Sequence, residues 1–519
     1  MNAEVGLLVS GGAGSGLIAV VLGKVDAALV YAIILLSFGC LAQAATYLNH
    51  DVAWVLYSSR EMLHGAVFGT DIVEPNPPLI WWISAVPAAV AGLFGTPVVG
   101  TFRVFVAALA ASSLFVADRL LACQQISRAK RIAFLVTAAY LLTIAVHRDF
   151  GQREHFAVML VLPYILAVAQ RIEGRSLGSA AGFAIGVCAA LGLAFKPYFL
   201  LVPLLLEAAL QLKLRSLRLL VRPEALGGVF TVLVYAIAIL VMAPTWLFDV
   251  LPDIQQIYWA FDRPLTSQWA VLAVKFALPV LVAAAVFSFN RSSQVFALVL
   301  AATGFAGAAI VQNKFYSYHN YPVLALLVLA AAAGIVDRRG RWKWPVTAML
   351  VLMFIQNFNE SAQSLINRSN LGPRGQQISA VVAFVAANSA RDGSFLAVST
   401  HPFPGFPTAL YADRRWASTT NSQFYLPAVV RLRQSTGPAD PALIAFAEHK
   451  ARAAILHDLA IGPDVVLIDQ SNYRHAIGNA KFDFLEFYLE DPKFRAVWSA
   501  YKQVQGPPRG FALYVRVRN

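Results

Sequence analysis

The chain has 519 residues, 58% of them hydrophobic and only 13% charged, with a mean hydropathy of +0.62. A water-soluble globule of this size could not hide that much apolar surface in one core, so most of the chain must live in lipid. The formal net charge is +13, but the basic residues collect in short clusters between apolar runs, which points to cytoplasmic loops and away from a nucleic-acid partner.

Residues 5–23 are weakly apolar, broken by Gly-Gly-Ala-Gly-Ser-Gly, with no charged leader and no clear cleavage site, so residues 1–26 read as a cytoplasmic or interfacial lead-in. A spanning helix needs about 20 largely apolar residues. The segments that qualify are 27–45, 105–121, 132–146, 156–170, 180–195, 199–212, 226–243, 270–289, 295–311, 321–336 and 345–358. With about eleven spans and a cytoplasmic N-terminus, the basic clusters at 128–131, 171–175, 213–222, Arg291 and 337–343 all fall inside. The apolar run 78–94 would push those clusters outside if it crossed, so it reads as an interfacial or partly re-entrant helix with Trp81 and Trp82 at headgroup level. Cys40, Cys123 and Cys188 lie in or beside apolar segments, with no pair at metal-ligand spacing, and read as structural.

This scheme leaves a long outer loop at 47–101 and further outer stretches at 147–155, 196–198, 243–269 and 312–320. After residue 358 the hydropathy collapses into a polar linker, 359–374, and a tail, 375–519. In the tail, 395–399, 465–468 and 511–517 read as strands, and 377–388 and 441–460 as helices. The expected fold is therefore an α-helical polytopic membrane domain over 27–358 and a small soluble α/β domain on the outer side.

The first outer loop opens with Asn49-His-Asp51 directly after a span. An acid at the mouth of an outer cavity is expensive to place and suggests function, although Asp also caps helices well. The second loop, 147–155 (His-Arg-Asp-Phe-Gly-Gln-Arg-Glu-His), is dense in ionisable groups, and a turn of helix could gather Asp149, Arg153 and Glu154 at one mouth. Lys196 within Phe-Lys-Pro-Tyr, and Lys314 with His319 in an aromatic-rich stretch, are cations at membrane depth that could hold a lipid phosphate or simply snorkel.

The order Asp51, a short amphipathic helix ending in Met62-Leu-His-Gly65, Glu74-Pro-Asn-Pro-Pro-Leu79, then Arg103 opening the next span, resembles the GT-C glycosyltransferase superfamily over residues 27–209. In pattern it looks like the protein O-mannosyltransferases and the lipid A aminoarabinose transferases. The resemblance implies a multi-pass enzyme of a bacterial inner membrane that moves a sugar from a polyprenyl-phosphate donor to a glycan, lipid or protein acceptor. It casts Asp51 as the base of an inverting displacement, with Asp149 or Glu154 as a second acid. Arg103, Arg153, Lys196, Lys314 and His319 become candidates for the donor phosphate, and Glu74 and His155 for acceptor contact or structural support. Val52 stands where the family's usual second acid would follow Asp51, which leaves a divalent ion (Mg, Mn or Zn) on Glu74, Asp149 or Glu154 as an option. The alternatives are a transporter or flippase of a lipid-linked glycan, whose charges should line a path through the bilayer, and a polysaccharide polymerase or ligase.

Overall fold

A computed structural model describes residues 27–124, 126–262, 292–314, 316–335, 351, 355, 372–435 and 440–517. The lead-in, the expected span 270–289, Arg291, the basic cluster 337–343, most of the span 345–358 and most of the linker lie outside the described residues.

The apolar runs fold as helices. They are α1 (Ala27–Ala44), α2 (His50–Leu63), α3 (Leu79–Phe94), α4 (Val98–Cys123), α5 (Arg128–Thr143), α6 (Arg153–Ile172), α7 (Ser179–Leu193), α8 (Leu201–Leu214), α9 (Pro223–Met242), the short α10 (Leu251–Ile257), α11 (Ser293–Gln312) and α12 (Ser317–Ile335). Six helical segments among the described residues are long and apolar enough to cross a membrane: α1, α4, α6, α8 with its leading turn, α9 and α11. Helices α3, α7 and the body of α12 are shorter and equally apolar. Helix α5 begins before the expected span because Arg128, Lys130 and Arg131 are good helix formers and join its first turn.

Helix α6 is the axis of the bundle. Every residue from Arg153 to Gln170 is buried, as the stretch from Phe156 to Ala169, apolar on all sides, requires, and α4, α7, α8, α11 and α12 pack around it. Helix α9 hangs at the edge, with Val229, Phe230, Leu233 and Ile237 exposed as a face fit for lipid. It is held by α7 through glycines: a Cβ at Gly186 would stand 2.0 Å from the Glu224 carbonyl oxygen, and one at Gly227 2.2 Å from that of Phe183. Lipid offers no hydrophobic drive between helices, so such close backbone approach is what joins them. Ion pairs tie the far end, Arg171 to Glu224 at 2.9 Å and Arg131 to Asp118 at 2.5 Å, with Arg222 bonded to Glu207.

Helix α3 lies along α2, which corrects the reading of Trp81 as a headgroup anchor. Trp81 is 0% exposed; its indole N–H donates to Ser58 Oγ at 3.0 Å and its ring sits 5.0 Å from Phe68. Trp82 is half-buried against Tyr235. The two helices share an apolar seam, and the larger ring fills it.

The C-terminal part is a five-stranded sheet in the order β2-β1-β3-β5-β4, built from β1 (Ser394–Val398), β2 (Arg415–Trp416), β3 (Val465–Asp469), β4 (Tyr501–Val504) and β5 (Phe511–Arg516). Strands β2, β1 and β3 run parallel, and β5 and β4 antiparallel. Among its helices are α13 (Gly372–Asn388) and α14 (Pro441–Ala460). This domain sits on the loops of the helical part: the Trp416 N–H donates to Tyr57 Oη at 2.9 Å, the Val73 N–H to the Thr419 carbonyl at 2.8 Å, and Lys450 pairs with Asp253.

Gly186→Leu should force α7 and α9 apart and cost about 1–3 kcal/mol, seen as a lower Tm of the detergent-purified protein. Gly228→Leu, on the open side of α9 with nothing within 4 Å of its would-be Cβ, should leave Tm unchanged or raised; equal losses in both would remove the packing argument.

Candidate active site

A cavity of about 700 Å³ opens between the end of α1, the start of α2, the loop after α2, the start of α6, the aromatic turn after α10, the start of α12, and the underside of the C-terminal domain. Its floor carries Asn49, His50, Asp51, Glu74 and Arg153, its flank Tyr258, Tyr316 and Tyr318, and its roof His401, Asn421, Tyr473 and His475.

Asp51 reaches the floor because Asn49 takes over the capping of α2: Asn49 Oδ1 accepts the Asp51 N–H at 2.9 Å. The carboxylate accepts a hydrogen bond from Gln152 Nε2 at 3.3 Å and has His50 Nε2 at 3.6 Å. Glu74 is 5% exposed. Trp54 Nε1 donates to its Oε2 at 3.1 Å and Asn76 Nδ2 to its Oε1 at 2.7 Å, while Trp246 Nε1 holds its backbone carbonyl at 2.8 Å. Burial pushes the Glu74 carboxyl up to about 7, against the opposing pull of Arg153 and the Asn76 bond.

Arg153 opens α6, 6% exposed and on the cavity wall. Among the described residues its Nε and Nη1 have no hydrogen-bond partner. Glu154, next on the helix, is turned about 100° away and points into the bundle. There it accepts from Lys196 Nζ at 2.7 Å, and Lys196 also bonds Gln312 Oε1 at 3.0 Å and His319 Nε2 at 3.1 Å. Burial lowers the Lys196 ammonium to about 8, with Glu154 opposing the shift. The ammonium lies 5.2 Å over the Tyr318 ring, so the pair backs the cavity wall without lining it.

The structure therefore separates residues that the sequence grouped. Asp149 lies at the end of a 3-10 turn, where it accepts from Asn49 Nδ2 at 3.4 Å. Gly151 then turns the chain at φ +83°, packed so that a Cβ would meet Phe102 at 2.7 Å. Asp149, Arg153 and Glu154 consequently face different ways. His155 is a buried clamp: Nδ1 accepts the Gly151 N–H at 3.0 Å, so Nε2 carries the proton and donates to the Leu142 carbonyl at 2.8 Å. Arg103 stands outside the cavity lining, donating to the carbonyls of Ala44 (3.2 Å) and Thr46 and to Tyr411 Oη (3.4 Å). It closes the end of α1 against the C-terminal domain. Lys314 pairs with Asp262 at 3.2 Å, 3.6 Å over the Tyr258 ring. Of the three acids considered for a divalent ion only Glu74 lines the cavity, and among the described residues no group of three or more His, Cys, Asp or Glu is arranged to hold a metal.

Sequence reasoning passed over the roof and the flanking phenols. Tyr316 and Tyr318 stood in the stretch already noted for Lys314 and His319, but nothing in the spacing of His401, Tyr473 or His475 links them to the floor. Only the docking of the C-terminal domain does so: the His401 ring lies 4.4 Å from His50 and 5.4 Å from His475.

No protein-family model and no curated protein matches the sequence. Among solved structures, the fold is similar to the crystal structure of ArnT from Cupriavidus metallidurans bound to undecaprenyl phosphate. The TM-score is 0.58 at 12% identity, covering 94% of this chain and 98% of that one. The polytopic fold implied by the sequence resemblance is thus the fold found.

The Glu74 shift has a definite sign. Between the usual glutamate value of 4.5 and about 7, the unfolded chain ionises this carboxyl while the folded protein keeps it protonated, so the contribution of Glu74 to stability falls as pH rises across that window. Glu74→Gln should flatten the decline in Tm between pH 5 and pH 7.5 (about the window set by the two values). An unchanged Tm profile would contradict the assignment.

Proposed function

We propose that the chain is a membrane glycosyltransferase that takes a pentose or hexose from a polyprenyl-phosphate donor at the outer face of a bacterial cytoplasmic membrane. The observation that carries this reading is Arg153: a guanidinium 6% exposed, on the wall of the cavity, with Nε and Nη1 unpartnered among the described residues, beside Asp51 and Glu74. A buried arginine in this state calls for an anion, and its planar fork suits a phosphate. The fold neighbour was solved with undecaprenyl phosphate, which supports the donor class.

In the proposed reaction the donor phosphate lies against Arg153 and an acceptor hydroxyl near Asp51. The hydroxyl oxygen attacks the anomeric carbon from the face opposite the phosphate, and Asp51 accepts its proton. The bond from the anomeric carbon to phosphate oxygen breaks, and the electron pair leaves with the polyprenyl phosphate. Gln152 and His50 aim the Asp51 carboxylate, and Arg153 stabilises charge growing on the leaving oxygen. The residues present do not form a metal-ligand set among those described, so no step runs through an ion. In the bilayer, a cytoplasmic N-terminus puts the basic clusters inside and the cavity with the C-terminal domain outside, where a lipid-linked donor is the available form of activated sugar.

The test is transfer of radiolabelled sugar from a panel of synthetic polyprenyl-phosphate sugars into membrane glycoconjugates at matched expression. Asp51→Asn should lower transfer by about 10²–10⁴-fold, the range of general-base help. Arg153→Gln should weaken undecaprenyl phosphate binding by about 10–100-fold, the worth of a charge-assisted contact. If no donor is consumed while a fluorescent lipid-linked glycan changes leaflet, the chain is a transporter and the reading is overturned.

A further inference from the structure

We infer that the face of the C-terminal domain that roofs the cavity is an acceptor subsite for a sugar ring, with Tyr473 as its stacking platform. This rests on the transferase reading and narrows the acceptor from glycan, lipid or protein to a saccharide.

Tyr473 is 74% exposed, and no other aromatic side chain of the C-terminal domain among the described residues is exposed to that degree. It lies on the wall of the same cavity as Asp51. An aromatic ring left in water forgoes the burial that usually stabilises it, and the backbone that carries this one is held in place. The next residue, Arg474, turns inward: it donates to the carbonyls of Phe482 and Ala480, both at 2.7 Å, and stacks 4.4 Å over Phe484. Thr400 Oγ1 donates to the His475 carbonyl at 2.8 Å, and Arg431 donates to the Ala476 carbonyl from Nε at 3.1 Å and Nη2 at 2.9 Å. A loop pinned at three successive residues fixes the backbone that carries Tyr473 before anything binds, which lowers the entropic cost of binding.

The rest of the roof supplies the matching polar groups. Ser422 Oγ donates to Asn421 Oδ1 at 3.0 Å and so sets the direction of the amide. His401 Nδ1 accepts the Phe403 N–H at 3.0 Å, which puts the proton of the neutral ring on Nε2. His475 is fixed by Tyr316 Oη at 3.2 Å. A pyranose has a face of C–H groups and a rim of hydroxyls that both donate and accept. One exposed aromatic face on a cavity wall shared with amide, imidazole and hydroxyl groups complements both parts. A peptide acceptor would call for main-chain partners such as an open strand edge, and no strand residue of the C-terminal sheet lies on the cavity wall.

The experiment uses the full chain in lipid nanodiscs and saturation-transfer NMR with methyl mannoside, methyl glucoside, N-acetylglucosamine, maltotriose and a Ser/Thr-rich peptide. The expected result is a signal from at least one saccharide and none from the peptide. Affinity should fall about tenfold or more in Tyr473→Ala and be retained in Tyr473→Phe. The inference is overturned if the peptide binds, if no saccharide binds, or if Tyr473→Ala binds as the wild type does. Undecaprenyl phosphate binding is measured on the same samples: its absence from the wild type would sink the donor reading, while its presence alongside a failed saccharide titration would sink this inference alone.

Discussion

The ion pair between Glu154 and Lys196 is the interaction on which the cavity depends. Its 2.7 Å contact, with Gln312 and His319 completing the ammonium's shell, joins α6, the turn between α7 and α8, α11 and α12. Burying two charges costs several kcal/mol each unless they meet in good geometry with their remaining valences filled. Here Glu154 Oε1 meets the ammonium, whose shell is filled, while Glu154 Oε2 is buried without a hydrogen-bond partner among the described residues. The preceding residue, Arg153, is left on the cavity side of the same turn. One charge is answered inside the protein; its neighbour, a helix position away, is presented to whatever enters.

The covering domain follows the same logic of fixed geometry. Its contacts with the helical part are made by buried or half-buried groups: the Trp416 N–H on Tyr57 Oη, Phe406 against Trp54 and Tyr57, Lys450 on Asp253. Arg103 carries the coupling to the end of α1, since one guanidinium touches the Ala44 and Thr46 carbonyls and Tyr411 of the C-terminal domain. The roof is thus set relative to Asp51 by several independent contacts, as a site built from two parts of a chain requires.

Most of the helical architecture was legible in the sequence because a span is a bulk property: about 20 apolar residues between charged loops leave little freedom. The strands at 395–399, 465–468 and 511–517 were legible for a similar reason, being apolar runs of strand length. Strand β2 was not, because two residues carry no period, and β4 was not, because Tyr-Lys-Gln-Val is half polar and owes its place to pairing with β5. Asp51, Glu74 and Arg153 could be picked out as charges in outer loops. Which charges would share a cavity could not, because a single glycine turn at Gly151 decides that Asp149 leaves the group. Likewise the step of one residue between Arg153 and Glu154 decides which faces the cavity. The roof histidines come from segments more than 300 residues after Asp51, and only tertiary docking relates them.

The two carboxylates of the floor have different surroundings, and the difference bears on how the site handles charge. Asp51 is partly exposed and held by Gln152 and His50. Glu74 is sealed beneath Trp54 and the Trp246 contact, and burial raises its carboxyl to about 7. With Glu74 protonated, Arg153 is opposed by Asp51 alone; with Glu74 ionised, two carboxylates face Arg153, and among the described residues only Arg148 on the same cavity wall offsets the second, which leaves less positive charge for an incoming phosphate. An anion bound at Arg153 would raise the Glu74 pKa further, since it both adds a like charge and offsets the guanidinium that now lowers it. In the proposed transferase, donor binding and the proton on Glu74 are therefore linked: the deep acid stays neutral while the shallow one, Asp51, remains the base.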